Sequence, residues 1–212
     1  MDVDELSDSD NDDDIIDRIR TKQKLNASHI MDVLDLFIRA YSTSISLLDP
    51  GFVTLYMGEG EGVTKQRDTM MRYFSGDKQR VVTIIPVHHM DHWSLVIHVT
   101  LYNTFYYFDS MGEYHNEYIM CMMSKFVSDG IINNLATTRI TTIVSECQSH
   151  SYECGQYLFM FVYAFLVQYN VVKGILDFDE RLQVYVSESC REYHRQSFIR
   201  LVIAWIHDSR GF

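Results

Sequence analysis

The sequence predicts an α+β fold on three observations. Runs of β-branched and aromatic residues gather in the middle of the chain, over 81–108 and again at 139–144. Helical periodicity flanks them, at 29–41 on one side and at 155–169 and 192–207 on the other. Finally, 212 residues with 47% hydrophobic and 13% aromatic content suffice for one domain with a sizeable core. There is no internal repeat and no interdomain linker. The expectation is a disordered acidic leader at 1–18 followed by a single domain at 19–212.

The leader holds nine acids and no base over residues 1–17, so its first 14 residues have almost nothing to bury. Ser7 and Ser9 lie in acidic context and suit phosphorylation. Ile15, Ile16 and Ile19 behind them suit either a first helical turn or a strand-pairing segment. In the stretch from His29 to Tyr41, apolar residues at 30, 33, 34, 36, 37 and 40 predict an amphipathic helix. Pro50-Gly51 marks a break, and Gly58 to Gly62 a flexible loop whose acids and missing lysine exclude a phosphate cradle. A short helix near Arg67 to Phe74 follows.

From Arg80 the texture turns to strand. Val81 to Ile85, Trp93 to Tyr102 and Thr104 to Phe108 read as three strands, the last two joined by a turn at Asn103 short enough for a hairpin. Glu117 to Val127 reads as a helix and Arg139 to Val144 as another strand. Gly155 to Tyr169 is apolar on nearly every face, which predicts a buried central helix. Glu192 to His207 is a final amphipathic helix.

Charge and cysteine usage bound the function. The net charge of −11 argues against a general nucleic-acid binder, although outside the leader 20 acids face 18 bases. Cys121, Cys147, Cys154 and Cys190 show neither CxxC pairing nor zinc spacing. With no apolar N-terminal segment, free thiols in cytosol or nucleus are expected. The longest apolar run, Tyr157 to Val167, is 11 residues and too short to cross a bilayer, so no membrane partner is expected. The chain is expected to be a monomer.

Three short motifs carry the chemistry: His92-Trp93, Phe108-Asp109-Ser110, and Gln148 six residues before Cys154-Gly155. Cys154 precedes a long apolar helix, whose N-terminal partial positive charge favours thiolate. His92 is the candidate base, able to take the thiol proton and return it to a leaving amine. Asp109 lies 17 residues on, at the end of a predicted hairpin, where it can face His92 across the sheet and orient it. The Gln148 amide, with the Cys154 backbone N–H, can bind an oxyanion. Gly155 lets a substrate backbone approach. Taken singly, each has a structural reading: a buried cysteine, a strand-end turn aspartate, or zinc binding by His88, His89 and His92. That last reading fails on strand alternation and on the lack of an acid or cysteine at ligand spacing. Together the motifs supply nucleophile, base, orienting acid and oxyanion donor, a chemistry that calls for no metal and no cofactor.

On these residues the chain resembles the ubiquitin-like-protein-specific proteases, the SUMO/sentrin-protease family that includes the deneddylases. Ile85-Pro86-Val87 and Met111-Gly112 add to the likeness, which covers about 80–170 well and 24–55 loosely. The resemblance implies a papain-like cysteine protease fold, a central mixed sheet flanked by helices. It also implies cleavage after the C-terminal Gly-Gly of a modifier, SUMO or Nedd8, threaded through a channel roofed by Trp93. Two departures stand out. Glu153 precedes Cys154 where the family has Asp, and Lys24-Leu25-Asn26-Ala27-Ser28 lacks the tryptophan and acid of the family's early motif. Alternatives that remain open are a non-catalytic binder of a ubiquitin-like protein, a protein acyltransferase, and a viral-type endoprotease.

Overall fold

The computed structural model describes residues 8–41, 44–58, 63–75, 81–132, 138–145, 148–171 and 178–209. Ser7, residues 59–62 of the glycine-rich loop and Cys147 lie outside them.

Five strands form one mixed sheet in sequence order: β1 (Ile45–Leu47), β2 (Val82–His89), β3 (His92–Val99), β4 (Thr104–Asp109) and β5 (Arg139–Val144). The β2–β3 and β3–β4 pairs are antiparallel hairpins, while β1 runs parallel to β2 and β5 parallel to β4. Asn103 makes the second hairpin turn in the left-handed region at φ 45°, a conformation that asparagine tolerates. The first turn, Met90-Asp91, has both residues at positive φ (46° and 61°), as a two-residue turn between right-twisted strands requires. Pro86 is accommodated because β1 pairs only as far as Ile84, so β2 is an edge strand by the time the proline removes an N–H.

Both sheet faces are covered, which explains why the strands read as continuous apolar runs. On one face Leu95, Ile97, Tyr106 and Phe108 pack with α6 (Cys154–Val171), the buried helix, and with α2 (Ala27–Tyr41) and α8 (Glu192–Ser209). On the other, Ile85, Val96, Phe105 and Tyr107 meet α3 (Pro50–Met57), α4 (Val63–Ser75) and α5 (Asn116–Ser128). Pro50, expected as a break, is the first residue of α3, where its missing N–H costs nothing, and Asp49 caps that helix through the Gly51 N–H.

The disordered leader expected at 1–18 is corrected over its second half. Residues Asp8–Arg20 form helix α1, with Ile15, Ile16 and Ile19 buried in the core. Arg18 pairs with Asp14, and Asp14 reaches the buried His29 of α2 at 2.9 Å, so the acid run is tethered at its C-terminal end. A further helix, α7 (Phe178–Ser189), buries Phe178, Leu182 and Val186 and had no sequence prediction.

Candidate active site

Topology brings the three motifs to one end of the sheet. Because β3 and β4 are antiparallel, the first residue of β3, His92, and the last of β4, Asp109, lie side by side. Strand β5 runs parallel to β4, so it ends at the same edge, and the loop after it leads to Cys154 at the first residue of α6. His92 Nε2 lies 2.7 Å from Asp109 Oδ1, and both side chains are buried. Cys154 Sγ is directed at the Ser151 carbonyl at 3.7 Å and lies within hydrogen-bonding influence of His92. Asp109 holds Nε2, so Nδ1 is the ring nitrogen left for the thiol, and it has no ordinary hydrogen-bond partner.

Electrostatics favour a charged ring. Burial works against the His92 cation, but hydrogen bonding to Asp109 and then to Cys154 outweighs it and raises the pKa to about 9. Burial likewise works against the Asp109 anion. Hydrogen bonds from His92, the Tyr107 hydroxyl (2.7 Å) and the Met111 N–H (2.9 Å) overcome it and hold the carboxyl below its usual value. The result is an imidazolium facing a sulfur at a helix N-terminus, the setting in which a thiolate is the reactive form.

The loop before Cys154 is organised from both ends. Gln148 is fixed by its N–H to the Ser110 carbonyl (2.7 Å) and by its Oε1, which accepts from Ser110 Oγ (2.7 Å). With the amide oxygen occupied, the NH2 group is the one available to donate to an oxyanion. Glu153 accepts from the Ser149 and His150 N–H groups (2.9 and 3.0 Å) and forms a buried ion pair with Arg195 of α8. The glutamate that departs from the family's aspartate therefore braces the catalytic loop against the C-terminal helix.

Trp93 is buried. Its indole N–H donates to the Leu25 carbonyl at 3.0 Å, and the ring lies tilted on His88 with centroids 4.5 Å apart. Lys24, in the segment lacking the family tryptophan, pairs instead with the Asp91 carboxylate at the tip of the β2–β3 hairpin. Gly155 departs from expectation. A Cβ there would meet Ile30 at 3.1 Å and Leu25 at 3.2 and 3.3 Å, so the missing side chain makes room for α2 and the segment before it, not for a substrate backbone.

Sequence reasoning missed His115. It is buried, donates its N–H to Asp109 Oδ2 at 3.2 Å, and sets its ring 5.0 Å from that of His92. Its Nδ1 pairs with Ser94 Oγ and its Nε2 with the His89 carbonyl (both 2.9 Å), while burial, followed by the repulsion of cationic His92, lowers its pKa to about 4. His115 sits in an irregular turn with no periodic pattern or motif around it. Donor atoms of His92, Asp109 and His115 lie within 4.8 Å of one another. His92 Nε2, both Asp109 oxygens and both His115 ring nitrogens are engaged in these hydrogen bonds, so the group reads as a polar network around Asp109. His88 and His89 do not join it as ligands: His88 packs on Trp93, and His89 stacks on Tyr118.

The profile of the Ulp1 protease family, C-terminal catalytic domain, matches residues 23–193. The chain belongs to that family. As a member it is a cysteine-type peptidase, with the α+β fold expected from the resemblance. Among solved structures it is similar to the SUMO protease Ulp1 with its catalytic cysteine oxidised to a sulfenic acid (TM-score 0.58, 16% identity, 98% of both chains covered). It is also similar to the Ulp1 protease domain in complex with Smt3, the yeast orthologue of SUMO (TM-score 0.57, 15% identity, 95% of this chain and 97% of that one). A third is the Xanthomonas campestris effector XopD bound to ubiquitin (TM-score 0.56, 16% identity, 85% and 90%). Among curated protein sequences none matches.

Proposed function

We propose that this Ulp1-family peptidase cleaves after the C-terminal Gly-Gly of a ubiquitin-like modifier, SUMO or Nedd8, releasing it from conjugates or trimming its precursor. Cys154 attacks the terminal glycine carbonyl. His92, oriented by Asp109, protonates the departing lysine amine, and Gln148 with the Cys154 N–H holds the oxyanion. The resulting thioester is hydrolysed with His92 as base. The observation that carries the reading is His92 fixed on Asp109 through Nε2 at 2.7 Å, its Nδ1 left unpaired, with a Gln148 whose amide oxygen is already occupied. Trp93, which follows His92 in β3 and is fixed on the Leu25 carbonyl, supports it, since an indole adjoining the base favours a substrate tail made of glycine. The partners of the similar structures, Smt3 and ubiquitin, fit the same substrate class. We place the enzyme in cytosol or nucleus, acting as a monomer.

The test is labelling with SUMO, Nedd8 and ubiquitin carrying thiol-reactive C-terminal warheads, beside Cys154→Ala. One probe is expected to form an adduct that the variant lacks, naming nucleophile and modifier together. Tight binding without reaction would point to a binder. Neither binding nor reaction would sink the ubiquitin-like substrate.

A further inference from the structure

A cavity of about 430 Å³ opens between the end of α1, the loop at 149–153 and α8. Its charge is opposite to that of the molecule. Arg20, Lys22, Arg195 and Arg200 line it in a chain whose net charge is −11. The one carboxylate in its wall, Glu153, is engaged with Arg195 and two backbone N–H groups. Among the described residues Arg20, Lys22 and Arg200 have no carboxylate partner.

Two details argue that the cations are placed and not scattered. Lys22, two residues past the end of α1, lies in the left-handed region at φ 59°, a position that favours glycine, yet here carries a positive side chain. Two of the carbonyls at that helix end are capped, since the Thr21 N–H donates to Asp17 and the Gln23 N–H to Arg18. The Arg20 and Arg200 guanidinium groups and the Lys22 ammonium, with Arg195 paired to Glu153 in the inner wall, suit a ligand of clustered phosphate oxygens.

We infer that this cavity binds a compact free polyphosphate, a small molecule bearing two or more phosphate groups. The site is separate from the peptidase centre, but its inner wall is the Glu153–Arg195 pair that braces the Gln148–Cys154 loop, so an occupant touches that loop from behind. The inference stands independently of the substrate proposed above, because it is read by binding and not by cleavage.

The experiment is calorimetric titration of the full chain with inositol hexakisphosphate and with pyrophosphate in 150 mM salt (about an 8 Å screening length). It compares wild type with Arg20→Ser/Arg200→Ser and with Arg39→Ser/Lys65→Ser, which removes the same charge elsewhere. Saturable binding to wild type is expected, weakened at least tenfold (roughly 1.4 kcal/mol) in the first variant and less than twofold in the second. No saturable binding of either probe overturns the inference, as does an equal loss in both variants. A polyglutamate peptide that outcompetes both phosphates would overturn the ligand class.

Discussion

Replacing Asp109 with asparagine keeps shape and removes one charge, and its effect follows from His92. The His92 pKa stands at about 9 against an ordinary 6.5, which at ~1.36 kcal/mol per unit is on the order of 3 kcal/mol in favour of the imidazolium. Asp109 and Cys154 share that favourable term against the burial penalty, with the Asp109 hydrogen bond the larger of the two. Assigning half to all of the net to Asp109 gives roughly 2–3 kcal/mol, or on the order of tens to hundreds-fold in any rate that needs the charged ring. A suitable readout is iodoacetamide alkylation of Cys154, followed by peptide mass spectrometry so that exposed Cys121 does not contribute. The raised value means that the cation's contribution is fully present below about 6.5 and is lost as pH rises through about 9. Wild type should therefore keep its alkylation advantage until about pH 9, and Asp109→Asn should lose it at lower pH. A change under threefold at pH 7, with an unmoved pH profile, would refute the reasoning.

Other perturbations probe neighbouring pieces. Gln148→Ala should lower the rate of probe labelling or cleavage by roughly 10²–10³-fold with little change in the thermal midpoint, since it removes an oxyanion donor from a surface loop. Gly155→Ala should destabilise the fold by about 1–3 kcal/mol in urea titration, because the new methyl crowds Ile30 and Leu25 by more than helix propensity recovers. His98 is buried against Phe74 and Phe105 with both ring nitrogens lacking ordinary partners, and burial lowers its pKa to about 4. The unfolded chain then binds the extra proton, so stability should fall as pH drops from about 6.5 to about 4, by up to ~3 kcal/mol. His98→Phe should flatten that acid limb in pH-dependent melting, and an unchanged limb would exclude His98 as its source.

The sheet's middle strands and central helix were legible because they are buried on both sides, which writes itself as long apolar runs. The candidate residues stood out because each sits at an element boundary: His92 opens β3, Asp109 closes β4 and Cys154 opens α6. Composition misled where local signal was weak. The acids of α1 outweighed three isoleucines that suited a first helical turn, and its order depends on contacts with α2 that no local window contains. The apolar residues of α7, at 178, 182 and 186, have helical spacing but are diluted by acids, and β1 is only three residues long. His115 was invisible for a different reason. Its role arises from β3, β4 and the turn before α5 meeting in space.

The exposed margin of β5 ends in an unusual way. At Val144, which is 62% exposed, the Gln183 side chain receives the backbone N–H at 2.9 Å and donates its own amide to the carbonyl. One side chain thus imitates a neighbouring strand for a single residue, next to the reacting end of the sheet. A visiting protein rich in β-structure finds no open ladder at Val144 to extend. At that one residue the edge of the sheet is closed to strand addition from outside.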